Sequence, residues 1–256
     1  MDIVLLGSGN VATHLGRALV GAGHRVRQVY SRTEPHARAL AEVLGAEAAT
    51  DLARIDKQAD AYIIAVKDDA IDAVAAQLEG VQGMVVHTAG SVDMTVLASH
   101  ATVYGVLYPL QTFSKAKAVD FSNVPLAVEA SQQAVLKRLE ALAGSLSDRV
   151  FRCDSKQRLS LHVAAVFACN FTNHFYAIAA DVLNKHGLDF DLIRPLILET
   201  AQKVMAHLPK DVQTGPAVRN DVRTMGKHVE LLASDPELER FYRLFSKRIG
   251  RFAAKD

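Results

Sequence analysis

Cysteine is scarce and net charge is nearly absent. Cys153 and Cys169 are the only two thiols in 256 residues, which leaves no disulfide framework and no metal-ligand spacing. No metal is expected, and a reducing cytoplasm fits best. Lys and Arg total 29 against 28 Asp and Glu. No global field therefore exists to gather nucleic acid or an anionic membrane, and any anion site must be local. The chain also lacks internal repeats and low-complexity tracts, which argues against a solenoid or a long linker. The N-terminus shows neither a basic leader region nor an apolar run of spanning length, so no export signal is expected.

What is present is alternation. The runs "DIVLL", "HRVRQVY", "DAYIIAV", "GMVVHT", "TVYGVLY" and "VPLAVEA" are strand candidates separated by helix-like stretches. That order predicts βαβ units and a mostly parallel, doubly wound sheet of the Rossmann type. After about Arg152 the strands stop. Helices are expected from Ser155 to Gly187, from about Phe190 to His207, over Ala217–Ala233 and over Glu237–Ala254. The expected organisation is an α/β domain over 1–153 followed by an all-α domain over 154–256.

"DIVLLGSGNVATHLGRAL" sets Gly7, Gly9 and Ala12 as G-x-G-x-x-A directly after a strand and at the opening of a helix. Gly7 permits the turn, Gly9 lets the backbone approach a pyrophosphate, and Ala12 keeps helix and sheet close; Ser8, Asn10 and Val11 complete the loop. The second strand ends in "VYSRT", so Ser31, Arg32 and Thr33 stand where an NAD enzyme presents an acid. Two hydroxyls and a guanidinium suit the extra phosphate of NADP, although Arg32 also reads as a solvated surface charge. Beyond the later strands, Val66 and Lys67 in "AVKDDAI", His87 in "HTAGS" and Gln111 in "YPLQTF" fall where a nicotinamide and its substrate belong. Asp68 or Asp69 reads as an N-cap for a helix beginning near Ala70.

The stretch "LHVAAVFACNFTNHF" carries imidazoles and amides in an apolar helix. At about 100° per residue, His162 and Asn173 fall on one stripe. On a cleft-facing stripe the histidine can deliver a proton while Asn173 holds a substrate carbonyl; on a buried stripe both fill a core or an interface. Asn170 and His174 read as interface residues, and Cys169 as a small hydrophobe. In "QTGPAVRND", Thr214 and the amides of a helix start near Gly215, with Arg219 as a clamp, offer an anion site; an ordinary Gly-Pro helix start is the alternative.

These segments together, "GSGNVATHL", "VYSR", "AVKDDAI", "HTAGS", "YPLQTF", "LHVAAVFACNFTNH" and "QTGPAVRND", resemble the Rossmann-like NADP oxidoreductases that carry a C-terminal helical domain of unknown function. Those proteins are related to pyrroline-carboxylate reductase and to the deazaflavin-dependent NADP oxidoreductases. The resemblance implies a helical dimerisation domain and an active site in the cleft between the domains. The chain departs from the broader 6-phosphogluconate-dehydrogenase-like group in lacking a Lys-x-x-x-Asn pair on its first long helix, where His162 begins the polar series. The expected function is NADP-dependent reduction of a small carbonyl or imine compound bearing a carboxylate, by a cytoplasmic homodimer. Lys67, His87, His162 and Asn173 are the candidate catalytic residues. The competing reading is a sensor that binds NADP(H) without turnover.

Overall fold

The structure is a computed structural model and describes residues 1–253. Its first part alternates strand and helix: β1 (Asp2–Leu6), α1 (Asn10–Gly21), β2 (Arg25–Tyr30), α2 (Glu34–Leu44), β3 (Glu47–Ala49), β4 (Ala61–Ile64), α3 (Ile71–Ala75), β5 (Met84–His87), β6 (Tyr104–Pro109), β7 (Leu126–Ala130), α4 (Gln133–Gly144) and β8 (Val150–Arg152). Among the described residues these form one eight-stranded sheet in the order β3-β2-β1-β4-β5-β6-β7-β8. Pairing is parallel throughout except between β6 and β7. The order reverses direction between β1 and β4, and at such a switch point the strand ends open a crevice for a ligand.

Strand alternation explains why both faces are covered. Ile3 and Leu5 of β1 enter one apolar cluster with α1, α2 and α4, while Val4 and Leu6 enter the other with α3. Successive side chains point to opposite faces, so a strand apolar at every position must be buried on both.

The remaining elements are helical: α5 (Ser155–Ala165), a π turn (Val166–Phe171), α6 (Thr172–Lys185), α7 (Arg194–Ala206), α8 (Val222–Leu231) and α9 (Pro236–Ala253). The expected end at Ala254 lies outside the described residues, as do the last two positions of the expected 154–256 domain. The chain divides into two compact units, Met1–His174 and Phe175–Asp256. The division falls well past residue 153 because α5 is tied to the sheet. Arg158, fully buried, pairs with the Glu129 carboxylate of β7 and donates to the Val92 carbonyl at 2.6 Å. Asp154 caps α5, accepting from the Gln157 amide at 2.8 Å, while Gln157 accepts from the Asp154 amide at 3.0 Å.

The π turn alters the stripe expected from the sequence. Each i→i+5 closure takes up one residue more than an α turn, so residues beyond Phe171 are rotated by about 100° from their α-helical positions. His162 and Asn173 therefore do not share the predicted stripe, and Asn173 is exposed. Cys169, expected as a small hydrophobe, is also exposed.

Candidate cofactor and active site

The loop after β1 is shaped by glycine at two points for different reasons. Gly7 has φ +129°, and a side chain there would lie 2.2 Å from the Ala65 carbonyl oxygen at the end of β4. Only glycine combines that conformation with that closeness. At Gly9, the N-cap of α1, nothing lies within 4 Å of where a side chain would begin, and no side chain caps the helix. The first amides of α1 thus meet open space with the positive end of the helix behind them, while Ala12 is fully buried against the sheet.

Beside this loop, the Ser8 hydroxyl donates to Ser31 Oγ at 2.9 Å, which joins the loop to the end of β2. Arg32 and Thr33 follow, both exposed, and the Thr33 hydroxyl is hydrogen-bonded with His36 Nδ1 at 2.9 Å. Glu34, the nearest acid, opens α2 and pairs with Arg38 one turn on. The open helix start, the glycine loop and a cation without an acid at the end of β2 fit NADP. Gly7 to Ala12 would hold its diphosphate, and Ser31, Arg32 and Thr33 its additional phosphate.

Beyond β4, Val66 is half-buried and Lys67 is exposed. The N-cap expected at Asp68 or Asp69 is not formed: Lys67 is the cap of a short 3-10 turn, and the Asp68 carboxylate instead accepts the Ser91 hydroxyl. His87, at the end of β5, is 0 % exposed. Its Nδ1 accepts the Ala89 amide at 3.2 Å, which puts the ring proton on Nε2. Burial, followed by the nearby Arg158 charge, pushes its pKa down to about 4. Such a histidine is neutral at physiological pH and fits the interior better than the catalytic role expected of it.

A different pair occupies the strand ends. Tyr108 Oη of β6 lies 3.2 Å from His162 Nδ1 of α5, with the two rings edge to face at 6.2 Å. They meet over Gly90: a side chain there would lie 2.7 Å from His162 Nδ1 and 2.9 Å from Tyr108 Cζ. Glycine is needed here for close approach. Burial holds the Tyr108 phenol above its ordinary pKa, with Asp68 reinforcing and Arg158 opposing the shift. The sequence places Tyr108 in the "YPLQTF" loop near the nicotinamide without giving it a role; the missing signal was its partner on a helix 54 residues away.

Gln111 is exposed and its side-chain oxygen accepts the Thr112 amide at 2.8 Å. In the second unit no helix begins near Gly215. The segment turns, and α8 opens at Val222 with Asp221 as its cap, accepting the Thr224 amide at 3.0 Å. The expected helix-terminal anion site is therefore filled by the chain's own carboxylate, whose pKa those Thr224 hydrogen bonds lower. Thr214 and Arg219 are exposed. A groove of about 760 Å³ in this unit is lined by Val218, Asn220, Met225, Tyr242 and Lys247, among others, and by none of the expected site residues.

The strand order with its glycine loop at the switch point defines a dinucleotide-binding protein of the Rossmann type. Residues 2–104 match the family described as NADP oxidoreductase coenzyme F420-dependent, and residues 124–249 match a domain of unknown function, DUF2520. A solved structure from Bacteroides fragilis, provisionally described as an NADP oxidoreductase, is 49% identical over 98% of both chains, with a TM-score of 0.92. The fold is shared with an imine reductase from Myxococcus stipitatus solved with NADP+ (16% identity, 100% and 93% coverage, TM-score 0.69). It is shared also with a 1-pyrroline-5-carboxylate reductase from Streptococcus pyogenes (15% identity, 98% of both chains, TM-score 0.65). Comparison with curated proteins finds no match. The chain belongs to the NADP oxidoreductases that join a Rossmann domain of this kind to a DUF2520 helical domain.

Proposed function

We propose that this NADP-dependent enzyme reduces the C=O or C=N bond of a small, carboxylate-bearing compound, with His162 as proton donor. The observation that carries the reading is the Tyr108–His162 pair seated over Gly90 at the carboxyl ends of β5 and β6. The bound nicotinamide supplies a hydride to the substrate carbon. The proton that completes the reduction goes to oxygen or nitrogen from His162 Nε2. The Tyr108 oxygen accepts from Nδ1–H of the charged ring and still does so in the neutral ring left when Nε2 gives up its proton, so it orients the ring in both states. Lys67, exposed beside the strand ends, is assigned to substrate or cofactor charge, with Gln111 as a further substrate contact. The imine and pyrroline-carboxylate reductase folds support a C=N substrate by analogy alone. A homodimer in the cytoplasm belongs to the same proposal.

The test is NADPH consumption, followed by absorbance, over a panel of cyclic imines, keto acids and semialdehydes. One of these compounds should be turned over, and His162→Gln should lower its kcat by about 10² to 10⁴ while NADPH still binds. Tyr108→Phe should give a smaller loss and a shifted pH profile. Full kcat in His162→Gln would remove the histidine from the mechanism.

A further inference from the structure

The segment after β6 does not lead straight to β7 but folds back across the cofactor loop. Asn10 Nδ2 donates to the Phe113 carbonyl at 2.9 Å. One turn later on α1, His14 Nε2 donates to the Ser114 carbonyl at 2.9 Å, and its ring stacks on Phe113 at 5.1 Å. His14 is only 4 % exposed, and Phe113 stacks in turn on the buried Phe121. The strap is thereby fixed to the first turns of the helix whose amides would meet the diphosphate. Its next residue, Lys115, places Nζ 3.0 Å from the carbonyl oxygen of Ser8, inside the Gly7–Gly9 loop.

We infer that Gln111–Lys117 is a cofactor clamp in which Lys115 supplies the cation that the Rossmann loop itself lacks. No basic residue stands between Gly7 and Thr13, so the helix start neutralises a doubly charged diphosphate with amides alone. A lysine held at that loop adds a charge-assisted contact, and the buried His14 with the half-buried Phe113 stacked on it holds it there before the cofactor arrives, which removes part of the ordering cost. The diphosphate is common to NADPH and NADH, so Lys115 contributes affinity without cofactor preference, whereas Arg32 contributes preference.

Dissociation constants for NADPH and NADH, read by quenching or enhancement of the nicotinamide fluorescence, separate the two roles without requiring a substrate. Lys115→Gln should weaken both cofactors by about tenfold and flatten the salt dependence of binding, and Lys115→Arg should restore most of the affinity. Arg32→Ala should weaken NADPH alone. Unchanged affinities in Lys115→Gln would overturn the clamp. A loss confined to NADPH would also overturn it, by moving the lysine to the additional phosphate. Because Lys115 is exposed, an unaltered melting temperature without cofactor should accompany the variant.

Discussion

At the scale of the residue, His87 and His162 show how position in the fold separates two histidines that look alike in sequence. Both lie close to Arg158 or its helix, yet one is sealed at the end of a central strand and the other reaches a tyrosine at the strand ends. His87 carries a consequence for acid stability. In the unfolded chain its imidazole takes up a proton near 6.5, but in the fold only near 4. Between those values the unfolded state binds more protons, so stability falls as pH drops through the interval and the loss levels off below it. The whole effect amounts to about 3 kcal/mol. Urea unfolding at a series of pH values should show this loss in the natural protein and a shallower slope in His87→Gln. Parallel slopes would mean that the buried histidine is not the group responsible.

At the scale of the element, α5 serves as an anchor whose charge is hidden inside the molecule. Arg158 donates to Glu129, to the Val92 carbonyl and to Ser155 Oγ, and Glu129 in turn accepts the Ser155 amide at 3.1 Å. Removing one member strands the other in a place without water, at a typical cost of about 3 to 5 kcal/mol. Arg158→Leu should destabilise the protein by that amount in denaturant titration, and the double variant Arg158→Leu with Glu129→Leu should recover part of it. If Arg158→Leu costs less than about 1 kcal/mol, the pair does not hold α5 to the sheet. Sequence periodicity could not disclose this anchor, because an arginine in "SKQRLS" reads as an exposed charge until its carboxylate partner on β7 is known. The strands that were legible, β1, β2, β4, β5, β6 and β7, are the ones four or more residues long, most of them apolar and buried on both faces. The two that escaped, "EAA" and "VFR", are three-residue edge strands with too few side chains to show a period. The cofactor loop was legible because its chemistry is local. The Tyr108–His162 pair was not, since it joins segments distant in the chain.

At the scale of the whole molecule, the long helix leaves a row of large apolar side chains uncovered. Leu159, Val163, Phe167, Phe171 and Phe175 recur every four residues along the helix that runs from Ser155 to Lys185, and each is at least 40% exposed. In a plain α-helix such a series drifts by about 40° per step; the π turn from Val166 to Phe171 counters the drift and gathers the side chains into a seam. By length and composition alone the same 31-residue helix could cross a membrane. Its start cannot do so while Arg158 is buried against Glu129, and its polar series His162, Asn170, Asn173 and His174 would lack partners in hydrocarbon. Apolar side chains in a seam, interspersed with hydrogen-bonding groups, suit a second copy of the chain, which satisfies both through one two-fold operation. Light scattering at micromolar concentration should therefore give twice the 27.7 kDa chain mass. Phe167→Asp with Phe171→Asp should yield the single-chain mass, because each introduced carboxylate would be buried without a partner. If the natural protein scatters as a single chain, the seam is not a dimer interface, and the exposed phenylalanines must serve another purpose.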